Sequence, residues 1–312
     1  MGVAFLFPGQ GSQHPGMLHQ SPKHPAVQST LREANDALGF DVLSLDTASA
    51  LSSTVAVQLA LLISGVAVTR ALYSEGLTPD AVAGHSVGAF AAAVATGVLG
   101  FQDALRVVLL RAQLMEQSFP KFFGMGVVVG LHERKLESIL QQEFDEKHPV
   151  YLANVNAPDQ VVVAGAVLGI RKVLEKCRKM GARRFELLDV SVPSHCDLLH
   201  FVSYELNERL SRVAVADPKF PYIGNCNARA LFTADQVRED LALSVAKPVR
   251  WHDMTTHLYE RGIRLFVEMP PGQVLSNLAA AHFPTARSVA VEDAGFESVV
   301  WLANQQRGGA IE

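Results

Sequence analysis

The sequence predicts an α/β protein, with a parallel sheet in a larger domain and a small ferredoxin-like domain inserted into it. Two observations support this fold class. In the first hundred residues, short apolar runs that end in glycine-rich loops alternate with helical segments, as in parallel α/β folds. Residues 124–189 instead contain short strands and charged helices in the order βαββαβ, which is the ferredoxin-like arrangement.

The larger domain begins with a predicted buried strand at residues 3–7, which ends at the loop Pro8-Gly-Gln-Gly-Ser-Gln13. Residues 55–74 have helical periodicity, and a short Ala/Val strand at residues 80–84 leads into an Ala-rich helix at residues 89–98. The elements expected to complete the sheet are a strand at 218–225, a helix near 233–245, and strands at 265–268 and 288–291.

The inserted domain is predicted at residues 124–189, so that residues 1–123 and 190–312 together form the larger domain. Its strands are expected at residues 125–131, 150–155, 161–164 and 184–188, and its helices at residues 133–144 and 168–180.

The composition favours a globular cytoplasmic protein and excludes several functions. At 312 residues, 49% of them hydrophobic, the chain can bury a large core. Its net charge of -4 lacks the basic footprint that contact with nucleic acid requires, so no nucleic-acid partner is expected. The three cysteines are odd in number and lack C-x-x-C spacing, which argues against disulfides and zinc and favours reduced thiols.

Two uncharged stretches, residues 47–69 and 81–102, are long enough to cross a membrane. Polar residues or glycines interrupt both, so we predict that they are buried inside the protein and that no membrane partner exists. The first residues lack the charged and long apolar regions of a signal peptide, and we expect them to form the first strand.

The motif Gly84-His-Ser-Val-Gly88 places a serine between a predicted strand and a predicted helix. In hydrolase-like α/β domains this strained G-x-S-x-G turn holds the serine hydroxyl at the start of the helix, where it can act as a nucleophile. On local sequence alone, a glycine-rich turn in which Ser86 caps the helix remains the alternative.

A serine nucleophile needs a base, and His195 is the best candidate among the eleven histidines. It lies at the polar tip of a loop that leaves the inserted domain, beside a proline that stiffens the backbone. His200 is the local competitor, and His85 is expected to point away from the adjacent serine. We interpret Cys196 as a packing residue, because adjacent side chains do not face each other.

Five motifs together resemble the malonyl-CoA:acyl carrier protein transacylases over nearly the whole chain. They are Phe7-Pro-Gly-Gln-Gly-Ser-Gln13, Gly84-His-Ser-Val-Gly88, the arginine of Leu109-Leu-Arg-Ala-Gln-Leu-Met115, Asn154-Val-Asn156 with Gln160-Val-Val-Val-Ala-Gly165, and Val192-Pro-Ser-His195. One such motif is weak evidence, whereas five in the same order are specific. Within the family, residues 56–62 and 268–275 resemble the epsilon subunit of bacterial malonate decarboxylase.

The resemblance implies a transferase that takes malonyl from malonyl-CoA through an ester on Ser86 and passes it to an acyl carrier protein thiol, without a metal or redox cofactor. It implies that His195 is the base of a Ser-His dyad and that the backbone N–H groups of Gln10 and Val87 bind the oxyanion. Arg111 would bind the malonyl carboxylate through two parallel hydrogen bonds.

Three further residues, Gln58, Asn156 and Arg250, are expected to line the substrate pocket or to orient other groups. In the family, a backbone carbonyl near the position of Arg250 orients the histidine, and glutamine is common at that position. Leu59 and Ala89 are further departures, from a proline and a glutamate. No acidic residue has the position expected for the third member of a hydrolase triad.

Two other functions remain open from the sequence. A serine thioesterase would share the nucleophile and the base but finish with water, and both Arg111 and the lack of an evident acid to orient the histidine argue against it. A non-catalytic assembly subunit would keep the site as a relic, and the intact Ser86, His195 and Arg111 argue against it. The basic segment 171–184 is either a docking surface for an acidic carrier protein or an ordinary solvated helix face.

Overall fold

The computed structural model describes residues 2–119, 122–190 and 192–308, which form two sheets with helices packed against them. The strands are β1 Gly2–Phe7, β2 Ala81–Gly84, β3 Phe123–Val129, β4 Val150–Ala157, β5 Gln160–Ala166, β6 Arg184–Leu187, β7 Tyr222–Ile223, β8 Ala230–Leu231, β9 Ile263–Glu268 and β10 Arg287–Ala290.

The helices are α1 Pro25–Leu38, α2 Thr54–Ser74, α3 Gly88–Ala95, α4 Phe101–Ser118, α5 Glu133–Gln142, α6 Val167–Lys179, α7 His200–Leu210, α8 Ala234–Leu243, α9 Trp251–Glu260, α10 Val274–His282, α11 Val291–Ala294 and α12 Phe296–Gly308. Short 3-10 helices occur at Val42–Asp46, Ala50–Ser52 and Asp197–Leu199.

The larger sheet has the strand order β10-β9-β1-β2-β7-β8, and all its pairs are parallel except β7 with β8. Alternate residues of β1 face opposite ways: Val3 and Phe5 join one buried cluster, and Ala4 and Leu6 join another. Helices therefore cover both faces of the sheet, as parallel sheets require. The carboxyl ends of β1 and β2 lie side by side, since Phe7 pairs with Gly84.

Helix α2 lies in the core of the larger sheet's helical layer. Among the described residues it is the one helix long and apolar enough to cross a membrane, and 89% of its most apolar window is buried inside the protein. Its polar residues Gln58 and Ser64 are buried as well. This burial agrees with the prediction that the stretch is internal.

The second sheet is antiparallel with the order β4-β5-β3-β6, and α5 and α6 pack on one of its faces, where Val128, Val161 and Ile170 are buried. Its other face carries Met125 and Val162 and packs against Cys196. The predicted fold class, a parallel α/β sheet with a ferredoxin-like unit, is thereby confirmed.

Several predicted elements are shorter than expected, and the cause is clear for two of them. The strand predicted at 218–225 contains only Tyr222–Ile223, because two prolines precede it and the N–H of Asn225 is bonded to Asp240 instead of a neighbouring strand. The helix predicted at 89–98 ends at Ala95, since Gly97 adopts a left-handed conformation with φ 82°.

Candidate active site

Ser86 lies on a tight turn between β2 and α3 with a left-handed φ of 55°. The glycines of the motif make that turn possible. A Cβ atom on Gly88 would lie 2.2 Å from the carbonyl oxygen of Phe7, and one on Gly84 would lie 2.3 Å from the nitrogen of Ala89. No larger residue fits at either position, so α3 can begin directly against β1 and hold Ser86 above the sheet.

His195 is the hydrogen-bond partner of Ser86, with 2.7 Å between its Nε2 and the serine Oγ. Its Nδ1 lies 2.5 Å from the carbonyl oxygen of Ser244. A carbonyl only accepts, so Nδ1 carries the hydrogen and Nε2 is free to accept the serine proton. Burial and the nearby charge of Arg111 lower the pKa of His195 to about 3, so the ring is neutral at physiological pH.

The expectation that a carbonyl near Arg250 orients the histidine is wrong, because the carbonyl belongs to Ser244 at the end of α8. Carbonyls at a helix end lack partners within the helix, which leaves this one available to the imidazole. Arg250 itself is bound by Glu133 and Asp253 and does not line the cleft around Ser86. The adjacent Val249 pairs with β4 and draws this segment toward the small sheet.

Arg111 is a buried cation beside the serine. Its NH2 group lies 3.2 Å from Ser86 Oγ, and its NH1 group donates to Gln58 Oε1 at 2.5 Å. Burial lowers the pKa of Arg111 to about 10, which still leaves the guanidinium charged at neutral pH. Within the described residues no carboxylate pairs with it, and its Nε has no hydrogen-bond partner. Such a buried charge strongly favours an anionic ligand.

Gln58 therefore orients Arg111, and its own amide nitrogen lies 3.5 Å from Met115 Sδ. Asn156 lines the cleft, and its Oδ1 lies 3.1 Å from Nε2 of His85. The ring of His85 also packs edge-on against Trp251, and burial lowers its pKa. His85 thus points away from the serine, as predicted.

The serine opens into a cleft of about 420 Å³ between the two sheets. Met125 and Val162 form its wall on the small sheet, and Val274 and Leu275 contribute from α10. Gln10 and Val87 also line the cleft, and neither backbone N–H has an acceptor in the part of the chain that the structure describes. A larger cavity of about 750 Å³, between α12 and the segment before α1, contains none of the predicted site residues.

The other candidates do not join the site. His200 is exposed and forms an ion pair with Asp197 at 3.2 Å. Cys196 is buried against the small sheet, where burial raises the pKa of its thiol to about 12.

The basic segment 171–184 is largely neutralised. The ion pairs are Lys172 with Asp145, Lys176 with Glu143, Arg178 and Lys179 with Glu175, Arg183 with Asp159, and Arg184 with Glu186. Helix α6 also packs on the face of the small sheet opposite to Met125 and Val162, which face the cleft. These contacts favour the solvated helix face over the docking surface.

Three residues near the site were missed from the sequence. Asn225 accepts a hydrogen bond from the backbone N–H of Ser86 at 3.1 Å, and Asp240 in turn accepts from the N–H of Asn225. Glu292 accepts from the N–H of Gly272 and pairs with His14, which follows the Gln10 loop. Asn225 could have been found, because it follows β7 at the same sheet edge as Ser86.

Comparison with known proteins shows relatives along the whole chain. Residues 4–306 match the family model described as acyl transferase domain. The chain is 35% identical over 304 residues to the malonyl CoA-acyl carrier protein transacylase of Haemophilus influenzae, with 95% of this chain and 97% of that protein covered.

Solved structures agree with this comparison. The malonyl CoA-acyl carrier protein transacylase from Coxiella burnetii matches with a TM-score of 0.93 and 32% identity, over 98% of both chains. A further match is a chain from the structure of a type II PKS acyl-carrier protein in complex with its malonyl-transacylase. The match has a TM-score of 0.91 and 34% sequence identity, and it covers 97% of this chain and 100% of that chain.

Proposed function

Because the chain belongs to the acyl transferase family, among the malonyl-CoA:acyl carrier protein transacylases, we propose that it transfers malonyl from malonyl-CoA to an acyl carrier protein thiol through an ester on Ser86. The thioester of coenzyme A is a substrate, and the proposed chemistry needs no other cofactor.

The first half-reaction forms the ester. Ser86 Oγ attacks the thioester carbonyl carbon while His195 Nε2, 2.7 Å away, accepts the hydroxyl proton. The negative charge that develops on the carbonyl oxygen is stabilised by the N–H groups of Gln10 and Val87. The carbon–sulfur bond then breaks, His195 returns its proton to the coenzyme A thiolate, and malonyl remains on the serine.

The second half-reaction reverses these roles. The thiol of the carrier protein gives its proton to His195, and its sulfur attacks the malonyl ester carbonyl. The bond to Ser86 Oγ breaks, and His195 protonates the serine. Because one cleft serves both half-reactions, the coenzyme A product must leave before the carrier enters.

The buried charge of Arg111 is the observation that carries the malonyl assignment. The guanidinium lies beside the nucleophile with no acidic partner among the described residues, so it lacks a counter-ion until an acid binds. In malonyl, one methylene group separates the free carboxylate from the thioester carbonyl. The planar guanidinium can bind that carboxylate through two hydrogen bonds.

Substitution of Arg111 tests whether this residue binds the malonyl carboxylate. We expect Arg111→Ala to slow acylation by malonyl-CoA about 10²-fold, since a buried charged hydrogen-bond partner is lost. Acylation by acetyl-CoA should change much less. Arg106→Ala is the matched control, because Arg106 lies on the same helix but is exposed and paired with Asp103. An unchanged ratio of malonyl to acetyl rates in Arg111→Ala would contradict the assignment.

The identity of the carrier is a finer proposal. Two segments resemble the epsilon subunit of malonate decarboxylase, residues 56–62 and 268–275. Both contribute to the cleft, the first through Gln58 and the second through Val274 and Leu275. We propose the decarboxylase carrier as acceptor. A fatty-acid carrier is the alternative, and it is consistent with relatives that are named malonyl CoA-acyl carrier protein transacylases. Transfer rates to each holo carrier separate the two: a rate to the decarboxylase carrier no greater than to the fatty-acid carrier would contradict the finer assignment.

A serine thioesterase is the alternative from another class. It would use the same Ser86–His195 pair, but water would hydrolyse the malonyl ester and free malonate would be released.

The cytoplasmic location and the domain limits 1–123, 124–189 and 190–312 also stay proposals. The location is supported by the cysteines Cys177, Cys196 and Cys226, all of which are free thiols.

A further inference from the structure

A polar network at the end of α8 connects both members of the Ser86–His195 pair. We infer that Asn225 and Asp240 are positioning residues, which fix the strained backbone of Ser86 from the same helix end whose carbonyl holds His195. Neither residue lines the cleft. The inference rests on the proposed roles of Ser86 and His195. It identifies the hydrogen bonds that fix the positions of these two residues relative to each other.

The side chain of Asn225 forms two hydrogen bonds with the turn that carries Ser86. Its Oδ1 accepts from the N–H of Ser86 at 3.1 Å, and its Nδ2 donates to the carbonyl oxygen of Gly84 at 2.9 Å. The side chain thus bridges the last residue of β2 and the serine across His85. Ser86 has a left-handed φ of 55°, a conformation that is unfavourable for a residue with a side chain and persists only where surrounding contacts fix it.

Asp240 holds Asn225 in place. Its carboxylate accepts from the N–H groups of Asn225 and Cys226, both at 3.0 Å, and from the hydroxyl of Tyr222 at 3.1 Å. Asn225 is completely buried and Asp240 is 5% exposed, so solvent cannot replace these bonds. The Asp240 carboxylate therefore fixes the backbone that follows β7, and it thereby fixes the Asn225 side chain that bonds to Ser86.

The same helix end positions the histidine. The N–H of Ser244 bonds to the carbonyl of Asp240 at 2.8 Å, and the carbonyl of Ser244 accepts from His195 Nδ1. The N–H of His195 also donates to the carbonyl of Val245 at 2.8 Å. His195 has a left-handed φ of 61°, so both strained residues of the pair depend on one turn of α8.

Holding both residues through one turn of α8 fixes the 2.7 Å contact between them. A displacement of about 1 Å between reacting groups can cost about 10²-fold in rate. Removal of Asn225 should therefore slow the attack by Ser86 without weakening the binding of the donor.

The test measures acylation and binding separately. We expect Asn225→Ala to lower the single-turnover rate of Ser86 acylation by malonyl-CoA about 10²-fold. Its Kd for malonyl-CoA, measured in a Ser86→Ala background, should equal that of Ser86→Ala alone. Asp240→Asn keeps the size of the side chain and turns one acceptor oxygen into a donor; we expect a loss of about 10-fold in the same rate.

Val237→Ala is the matched control, since Val237 is completely buried on the same helix and takes no part in the network. It should lower the melting temperature while its acylation rate stays within about threefold of the parent. Acylation of Asn225→Ala at the parent rate would overturn the inference. So would a loss explained by a weaker Kd, or an equal loss in Val237→Ala.

Reaction of Ser86 with a fluorophosphonate serine probe separates this inference from the proposed function. If malonyl-CoA fails to acylate the parent protein, the proposed function fails. The probe still compares the reactivity of Ser86 in the parent and in Asn225→Ala, and we expect the same slower reaction. Equal probe rates would contradict the positioning role alone.

Discussion

At the scale of single residues, His195 combines burial with a hydrogen bond that fixes its tautomer. Ser244 accepts from Nδ1, and Nε2 faces the hydroxyl of Ser86. Because its pKa is lowered to about 3, the ring need not lose a proton before it can act as a base at neutral pH. A histidine that stays neutral in the folded state lowers the stability of the protein at acidic pH, because the same side chain binds a proton more readily in the unfolded chain.

We predict that His195 contributes to acid destabilisation between about pH 6.5 and pH 3. In this window the unfolded state binds a proton at the ordinary pKa of 6.5 and the folded state does not, so stability falls as the pH falls. One such proton gives a slope of about 1.4 kcal/mol per pH unit. Urea unfolding of His195→Gln from pH 7 to pH 4 should show a shallower decrease, whereas Ser86→Ala should keep the parent slope. Equal slopes in His195→Gln and the parent would refute the prediction.

At the scale of elements, the chain after β1 is linked through α11 to the loop that follows the neighbouring strand β9. Glu292, on α11, accepts from the N–H of Gly272 and lies 2.6 Å from Nε2 of His14. Its carboxylate thus joins the chain that follows the Gln10 loop to the loop that follows β9. Because His14 lies four residues after Gln10, we expect this contact to help fix the Gln10 N–H.

We expect Glu292→Ala to slow Ser86 acylation about 10-fold, because a loosened loop shifts one of the two oxyanion donors, and complete removal of such a donor costs about 10² to 10³-fold. Single-turnover acylation measures the effect. Asp293→Ala serves as the control, since Asp293 is the adjacent exposed acid on the same helix. Equal rates in the two variants would show that the loop does not need this contact.

The elements also show what the sequence can and cannot predict. Ser86 and its glycines form a local sequence pattern, but the need for Gly88 comes from packing against β1, because a Cβ atom there would lie 2.2 Å from the carbonyl oxygen of Phe7. The carbonyl of Ser244 has no side-chain signature, so its contact with His195 was assigned to the wrong segment. Asn225 meets Ser86 across 139 positions of sequence, so it can be found only once β7 is placed beside β2 in the sheet.

At the scale of the whole molecule, the cleft lies between two sheets that are joined by backbone and by charge. Val249 exchanges backbone hydrogen bonds of 2.9 Å with β4, at Ala153 and Val155. The adjacent Arg250 forms an ion pair with Glu133 at the start of α5. These contacts hold the small sheet as one wall of the cleft.

Loss of this ion pair should affect stability more than chemistry. We expect a coupling energy of about 1 kcal/mol between Arg250→Ala and Glu133→Ala in a double-mutant cycle of thermal or urea unfolding, because both side chains are only partly buried. The kcat of Arg250→Ala should stay near that of the parent, since Arg250 lies outside the cleft. A decrease in kcat of more than 10-fold at saturating substrate would give Arg250 a direct role and contradict this assignment.

The most direct test of the central claim is the intact mass of the protein during a single turnover. After incubation with malonyl-CoA, the account predicts a malonyl adduct on the parent protein and none on Ser86→Ala. The adduct should persist in buffer and disappear when a holo acyl carrier protein is added, with malonyl appearing on the carrier. An adduct on Ser86→Ala, or rapid release of free malonate without a carrier, would contradict the claim that Ser86 carries malonyl to a thiol.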